Sequence, residues 1–265
     1  MEITQILGFI SAFFIGLILG ILGGGGSILT VPVLVYIFSL NPVTASAYSL
    51  FVVGISGLGG VIRNINRHII DYKVGIVYAI PSLIAVYTTR KFLIPQLPDI
   101  LFSFGDYQVS RDLGLMLFFA LIMLYVAVTM IRQQVSESTE QQITSLSIPI
   151  LAIQGFIVGI LTGIIGAGGG FLIIPALVLL AKLSMKRAVA TSLFIIAIKS
   201  LIGFIGDVEN TQIDWGFLLV FTSISVLGLL FGSFLSKFIN DKKLKRMFGW
   251  FVMFMGIFII IIELI

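Results

Sequence analysis

A single lysine lies deep within an apolar stretch, and it is the residue in this chain best suited to binding chemistry. Lys199 stands in the sequence Ile-Ile-Ala-Ile-Lys-Ser-Leu-Ile, and a charge in such a position is costly and usually functional. Ser192 lies seven residues earlier, so a helix would place both side chains on one face. An ammonium group near hydroxyl groups is suited to holding an anion. The alternative is that Lys199 snorkels to the membrane interface.

Two glycine clusters could supply further anion-binding groups. The first covers residues 23–26 and is followed by Ser27, and the second covers residues 166–170 with one alanine among the glycines. Consecutive glycines break a helix, and backbone N–H groups at the start of the next helix attract anions. We expect these new helices to begin at Ser27 and at Phe171. The alternative is that the glycines only allow helices to pack closely.

The composition predicts a protein of the membrane. Of 265 residues, 58% are hydrophobic and 11% are charged, whereas soluble domains carry about a quarter charged residues. The net charge of +4 lies in short loops, which indicates orientation in a bilayer and not nucleic-acid binding. Because cysteine is absent, disulfides, thiolate nucleophiles and cysteine-bound metals are excluded. Nothing in the sequence indicates a metal site or a cofactor.

Apolar segments place helices around these candidate residues. Ile3 to Leu22 is long enough to cross a bilayer, whereas Ile28 to Leu40 covers only about 20 Å of a core ~30 Å thick. We therefore expect the chain to turn back at the first glycines, inside the membrane. The other spans of this half are expected at 43–62, 74–89 and 113–131, with a mixed loop at 91–112.

The second half of the chain repeats the first at one fixed spacing, the repeat offset, which aligns Pro32 with Pro175 and Asp71 with Asp214. Such pairs are harder to match by chance than Leu, Ile and Val. A polar segment rich in Gln, Ser and Thr separates the halves. We expect a first transmembrane repeat at 1–132, a polar linker at 133–147 and a second transmembrane repeat at 148–265.

The repeat extends the candidate site to a second helix. Ser192 and Lys199 align with Ser49 and Ser56, so one face of each helix offers hydroxyl groups and one face adds an ammonium. We expect these faces and the two glycine turns to meet around one site near the middle of the membrane, as in transporters with broken helices. The candidate substrate-binding residues are Gly24, Gly25, Gly26, Ser27, Ser49, Ser56, Gly168, Gly169, Gly170, Thr191, Ser192 and Lys199.

Loop charges predict that the two repeats are inverted. The loop after residue 62 is basic in the first repeat, whereas its counterpart in the second repeat is acidic. The following loop is mixed in the first repeat and strongly basic in the second. Because positive loops face the cytoplasm, corresponding loops are expected on opposite sides of the membrane. Such an inversion requires an odd number of segments in each repeat. We therefore expect five segments, with the short leg after the glycines as a separate, returning segment. We expect an all-α polytopic membrane protein in which each repeat is a glycine-broken helix hairpin plus three spans, with both termini outside.

Two other classes of function are disfavoured. Every Asp and Glu lies in an expected loop or at a terminus, so the spans lack the carboxylates that cation or proton transport needs. Residues 54–57 match the short G-x-S-G pattern of intramembrane serine proteases, but the only histidine, His68, lies twelve residues beyond Ser56. That separation is about 18 Å along a helix, too far for activation of the serine. The sequence therefore indicates no enzyme.

The paired glycine and proline motifs resemble those of the TauE/SafE sulfite exporter family. The motif covers residues 16–32 and recurs at 159–175, and Ala45 and Ala188 each begin an Ala-x-Ala-x-Ser-Leu-Phe sequence. The resemblance extends over nearly the whole chain. It implies a transporter of sulfite or of organosulfur anions such as sulfoacetate, in a bacterial inner membrane.

Residues and resemblance together predict an exporter of small sulfur-containing anions that works by alternating access. Export could proceed without a coupling ion, since an anion leaving a negative-inside cell gains about 2.3 kcal/mol per charge per 100 mV. The expected partners are a small inorganic or organosulfur anion and the lipid bilayer, without nucleic acid. An anion channel of the same architecture and a helper subunit without its own substrate are the alternatives, and the oligomeric state stays open.

Overall fold

The chain is built almost entirely from helices, five in each half of the part that the structure describes. This computed structural model describes residues 3–65, 68–98, 100–104, 107–132, 147–165, 170–179, 181–208 and 212–264. The helices of the first half are α1 (Ile3–Leu22), α2 (Thr30–Tyr36), α3 (Pro42–Ile65), α4 (Tyr72–Thr88) and α5 (Arg111–Arg132). Those of the second half are α6 (Ser147–Ile165), α7 (Gly170–Leu179), α8 (Met185–Val208), α9 (Trp215–Leu235) and α10 (Asp241–Leu264). The predicted helical fold class is confirmed.

Six helical stretches of the described residues are long and apolar enough to cross a membrane. The first runs from Gln5 to Tyr36 and contains both α1 and α2. Two shorter apolar helices, Ile148–Ile164 and Gly170–Leu179, correspond to α6 and α7. These lengths and compositions indicate a multi-pass membrane protein, as the sequence predicts.

The first of these stretches turns back on itself at the glycines. Gly23 has a φ of +61°, a backbone conformation that favours glycine, and the segment Gly23–Leu29 is a 3₁₀ helix that leads into α2. Beyond α2, the ring centroid of Phe38 lies 6.1 Å from that of Phe9, near the start of α1. The chain therefore forms the predicted hairpin. The returning helix begins at the glycines, however, and not at Ser27 as expected.

The second glycine cluster is described only at its two flanks. The helix before it, α6, ends at Ile165, and α7 begins at Gly170. Residues 166–169, which include the candidate residues Gly168 and Gly169, lie outside the described part of the chain. With 10 residues, α7 is about 15 Å long and too short to cross a core ~30 Å thick.

Hydrogen bonds between the halves occur in pairs that are related by the repeat offset. The Asp71 N–H donates to Thr191 Oγ1 at 3.0 Å, and the Asp214 N–H donates to the Tyr48 hydroxyl at 2.7 Å. Asp71 aligns with Asp214, and Thr191 aligns with Tyr48, so the second hydrogen bond is the repeat equivalent of the first. The two halves therefore make equivalent contacts with each other.

Packing contacts between helices of the two halves also occur in equivalent pairs. A methyl group on Gly16 of α1 would overlap the carbonyl oxygen of Ser225 on α9. A methyl group on Gly159 of α6 would overlap the carbonyl oxygen of Ser82 on α4, which is the equivalent contact. Small residues at these positions let the helices approach closely. Each half thus packs its first helix against the fourth helix of the other half.

The equivalent helices α3 and α8 run antiparallel through the buried centre of the molecule. Near the middle of α3, Gly54 lies against Leu201 of α8, and further along α3, Gly60 lies against Leu193. Positions therefore advance along one helix as they recede along the other. The inversion of the two repeats as wholes stays a prediction.

The expected loop at 91–112 contains regular structure that was not predicted. A π-helical turn at Thr89–Leu93 and a 3₁₀ turn at Ile94–Gln96 extend α4. Strand β1 (Ile100–Phe104) then pairs antiparallel with β2 (Tyr107–Ser110), with a register shift between Ile100 and Phe102. Strands of five and four residues are too short to produce a readable alternation of apolar and polar residues.

The repeat-related aspartates cap two helices, and this predicts a measurable stability loss. The carboxylate of Asp214 accepts the Phe217 N–H at 3.0 Å at the start of α9. We predict that Asp214→Ala lowers the free energy of unfolding by about 1 kcal/mol, because it leaves that donor without its partner. Thermal unfolding of the purified protein in detergent measures the change. Asp214→Asn keeps an oxygen acceptor and should stay near wild type, and equal losses in both variants would contradict the capping role.

Candidate functional site

The first glycine turn packs against the middle of α8. The Gly24 N–H donates to Ser192 Oγ at 3.3 Å, and this hydroxyl donates to the Val189 carbonyl oxygen at 2.8 Å. A methyl group on Gly24 would also overlap the side chain of Ile196, one turn further along α8. Ser192 therefore contacts the first turn and accepts a backbone N–H group at the start of the returning helix.

Gly24 also lies against the beginning of α7. A methyl group on Gly170 would overlap the backbone of Gly24, and one on Gly24 would overlap the backbone of Gly170. Two backbones approach this closely only where neither residue carries a side chain. The first turn and the helix that follows the second glycine cluster thus meet directly at these two glycines.

Lys199 is fully buried on the same face of α8, one turn beyond Ile196. Its Nζ donates to Thr162 Oγ1 on α6 at 2.8 Å, four residues before the second glycine cluster. Within the described ranges, no carboxylate lies at ion-pair distance from this ammonium. Lys199 does not reach a surface of the molecule, so the snorkelling alternative is wrong. Its hydroxyl partner is neutral, so a protonated Lys199 would have no countercharge beside it among the described residues.

The equivalent face of α3 contains a serine whose hydroxyl has no hydrogen-bond partner among the described residues. The hydroxyl of Ser49 is buried and makes no hydrogen bond to any residue that the structure describes. Its counterpart is Ser192, which accepts from Gly24. At the repeat offset, Gly24 aligns with Ala167, outside the described residues.

Ser56, which is equivalent to Lys199, bonds to another serine. Its Oγ donates to Ser225 Oγ on α9 at 3.2 Å, and both side chains are fully buried. His68 lies in the connection between α3 and α4, beyond the end of the helix that holds Ser56. The only histidine in the sequence therefore lies away from this serine, whose hydrogen-bond partner is Ser225.

Two other candidate hydroxyls form bonds within the scaffold. Thr191 Oγ1 accepts the Asp71 N–H at the start of α4. Ser27 Oγ donates to the Gly24 carbonyl oxygen at 2.6 Å, within the returning helix. A role of either residue in contact with a substrate stays a prediction.

The other two candidate glycines of the first turn, Gly25 and Gly26, face other helices. A side chain on Gly25 would collide with the Phe248 ring of α10, and one on Gly26 would overlap the backbone of Leu19 on α1. These contacts agree with the close-packing alternative for Gly25 and Gly26. Gly24 differs from them because it touches both Ser192 and Gly170.

A cavity of about 320 Å³ extends from the basic end of the molecule to the first glycine turn. Its inner wall includes Gly20, Ile21 and Val189, and Val189 contacts the first residue of the turn. Lys186 and Lys237 also line it, and two cations beside a cleft raise the local concentration of anions. Its other lining residues are Asn64, Ile69, Ala190, Ser233, Ser236 and Leu244. The basic loops indicated that lysines lie at this end, but the cavity beside the turn was not predicted.

A buried ion pair near the opposite end was missed. Arg90 Nε lies 3.3 Å from Asp207 Oδ2, and Arg90 Nη2 donates to Ser46 Oγ at 2.6 Å. Arg90 is 1% exposed and Asp207 is 4% exposed. The expectation that every carboxylate lies in a loop or at a terminus is wrong for Asp207, which lies in the last turn of α8. An arginine directly after one span and an aspartate at the end of another were the available signal.

The contact between the two glycines predicts a sharp sensitivity to one methyl group. We predict that Gly170→Ala lowers the thermal stability and the transport rate strongly, because its methyl group would overlap the Gly24 backbone, which has no flexible side chain to move. Gly59→Ala is the control, since the atoms nearest to its methyl group would lie 3.6 and 4.0 Å away. Unfolding in detergent and flux in proteoliposomes measure both. Similar behaviour of the two variants would contradict the close contact.

Comparisons with known proteins agree on one family. The family model described as sulfite exporter TauE/SafE matches residues 8–259. The chain is 30% identical over 272 residues to the probable membrane transporter protein YunE of Bacillus subtilis, covering 97% of this chain and 96% of that protein. It is 28% identical over 255 residues to a probable membrane transporter protein of Xylella fastidiosa, covering 94% and 92%. No solved structure matches the chain.

Proposed function

Because the chain belongs to the TauE/SafE sulfite exporter family of membrane transporters, we propose that it exports small sulfur-containing anions such as sulfite or sulfoacetate. The observation that carries the anion class is the buried ammonium of Lys199, whose hydrogen-bond partner among the described residues is a neutral threonine. A buried charge without a countercharge is costly, and a small anion at this position would neutralise it. The choice of sulfur rests on the family.

The proposed binding site lies between the first glycine turn, the start of α7 and one face of α8. Ser192 and Lys199 are on that face, and Gly24 and Gly170 form the contact beside it. Backbone N–H groups at the start of the returning helix and the Lys199 ammonium would together hold the anion. Ser49 would supply a hydroxyl from α3.

The proposed mechanism is alternating access between two inverted repeats. Three observations support it: the exchange of equivalent contacts, the antiparallel course of α3 and α8, and the opposite charges of corresponding loops. By the positive-inside rule, the cavity beside Lys186 and Lys237 opens to the cytoplasm. A cytoplasmic anion would enter there, reach the glycine turn and leave on the other side after the two repeats rock against each other.

Removal of the buried ammonium tests the site. We predict that Lys199→Met lowers sulfite and sulfoacetate flux in proteoliposomes at least about tenfold, since a hydrogen bond to a charged group contributes about 1.5–3 kcal/mol. Lys243→Met is the matched control, because it removes the same charge from an exposed position at the basic end. Flux should saturate with anion concentration and be stimulated by anion on the opposite side.

Three outcomes would contradict this proposal. Equal flux of all anions with and without Lys199 would remove Lys199 from the site. Single-channel currents would indicate an anion channel of the same architecture. Absence of flux from folded wild-type protein would favour a helper subunit.

The electrical gradient provides a second prediction. An exported anion that carries its own charge gains about 2.3 kcal/mol per charge per 100 mV. We predict that anion efflux from proteoliposomes accelerates as the interior is made more negative with a potassium gradient and valinomycin, without any added coupling ion. Efflux that does not change with the imposed potential would show that another ion compensates the charge.

A further inference from the structure

The cavity at the basic end has an equivalent region at the other end, where three of the aligned residues are buried and contact one another. Three residues that line the cavity align, at the repeat offset, with the residues of the buried ion pair and its serine partner. The aligned pairs are Asn64 with Asp207, Val189 with Ser46, and Ser233 with Arg90. The ion pair therefore lies where the outer half of the pathway would have its own cavity.

The guanidinium of Arg90 joins three separate elements at this place. Arg90 belongs to the turn that extends α4, Asp207 to the end of α8 and Ser46 to the beginning of α3. Movement of α4 relative to α3 and α8 would separate these groups. Since α3 and α8 form the buried centre, the ion pair connects the end of α4 to that centre in this conformation.

The same guanidinium still has donors to offer. Arg90 Nη1 makes no hydrogen bond to any described residue, and the Asp207 contact to Nε is an ion pair without hydrogen-bond geometry. A guanidinium has five N–H donors in a fixed fork that fits the oxygens of carboxylates and of oxyanions. Asp207 thus occupies, as an internal carboxylate, a position that suits an external oxyanion.

We propose that Arg90 and Ser46 form an outer anion site, and that Asp207 closes it by occupying the place of the anion. When the outer end opens, Asp207 withdraws and the anion meets Arg90 as its last protein contact before release. The ion pair is then both the outer gate and a competitor for the anion. This inference rests on the proposed transport function, but its test needs no transport.

The absence of cysteine from the sequence makes the gate directly measurable. Ala190 and its counterpart Ala47 are both buried, but Ala190 lines the cavity at the basic end whereas Ala47 lies beside Ser46. Each is replaced by cysteine, and the reaction with a membrane-impermeant thiol reagent is followed in vesicles of each orientation. We expect Ala190→Cys to react from the cytoplasmic side and Ala47→Cys to be protected from the outer side.

Opening of the gate should expose the second cysteine. We expect Asp207→Asn to increase the outer reaction rate of Ala47→Cys at least about tenfold, because loss of one partner leaves the buried arginine unpaired. The exchange Arg90→Asp with Asp207→Arg should restore protection, which separates gating from misfolding. If Asp207→Asn leaves the cysteine protected, or if the exchanged pair exposes it, the ion pair is not the gate.

Sulfate, used as a probe oxyanion, tests the anion site itself. In the Ala47→Cys, Asp207→Asn protein, we expect external sulfate to slow the thiol reaction at least about threefold relative to gluconate at equal ionic strength. Addition of Arg90→Gln should abolish this protection. Equal rates in sulfate and gluconate, or protection that persists without Arg90, would overturn the anion site. These thiol reaction rates do not depend on Lys199 or on anion flux. The outer anion site can therefore fail its test while the proposed transport function holds, and the reverse.

Discussion

Backbone N–H and C=O groups that are buried away from water must find partners within the protein, and the glycine turn at Gly23 meets this demand at the end of α1. The left-handed conformation of Gly23 reverses the chain, and the glycines after it continue as a 3₁₀ helix. Their N–H groups therefore start a new helix in the interior of the molecule, where Ser192 accepts one of them. The lack of side chains at Gly24 and Gly170 then lets this turn touch α7. Ser192 on α8 lies beside that contact.

The duplicated scaffold carries unequal chemistry. Caps and packing contacts recur in both halves, as the pairs Asp71–Thr191 and Asp214–Tyr48 demonstrate. The polar groups along the centre recur only in part, since Ser192 aligns with Ser49 whereas Lys199 aligns with Ser56. Backbone contacts are therefore shared by the halves, whereas the buried ionisable groups differ between them. Lys199 is consequently a buried lysine on α8 without a counterpart on α3.

Much of the architecture could be predicted because it depends on features that leave strong local signals. Glycine runs within apolar sequence predicted the hairpin, and the internal repeat together with the loop charges predicted five helices in each half. The burial of Lys199 followed from its apolar neighbours. These inferences needed only composition, spacing and the cost of polar groups in lipid.

The rest depends on partners that are distant in sequence. The pairing of Arg90 with Asp207 joins residues from different halves of the chain, and neither residue alone indicates the other. Gly24 differs in its contacts from Gly25 and Gly26 because each glycine faces a different helix, which the local sequence does not show. The hairpin of β1 and β2 was missed because its strands are too short for a pattern. Local sequence therefore predicted the elements, whereas their mutual contacts required the structure.

The packing of α1 against α9 has a consequence for biosynthesis. Gly16 emerges from the ribosome long before Ser225, the residue whose carbonyl oxygen fills the space beside it. During that interval the groove along α1 has only lipid or helices made before α9 as neighbours. Thr191, whose hydroxyl accepts the Asp71 N–H, has not been synthesised at first either. The first half consequently enters the membrane without some of its packing contacts, and the second half supplies them later. Folding of the chain is thus an assembly of two related pieces, and the late synthesis of α9 determines when the earliest helix acquires its final position.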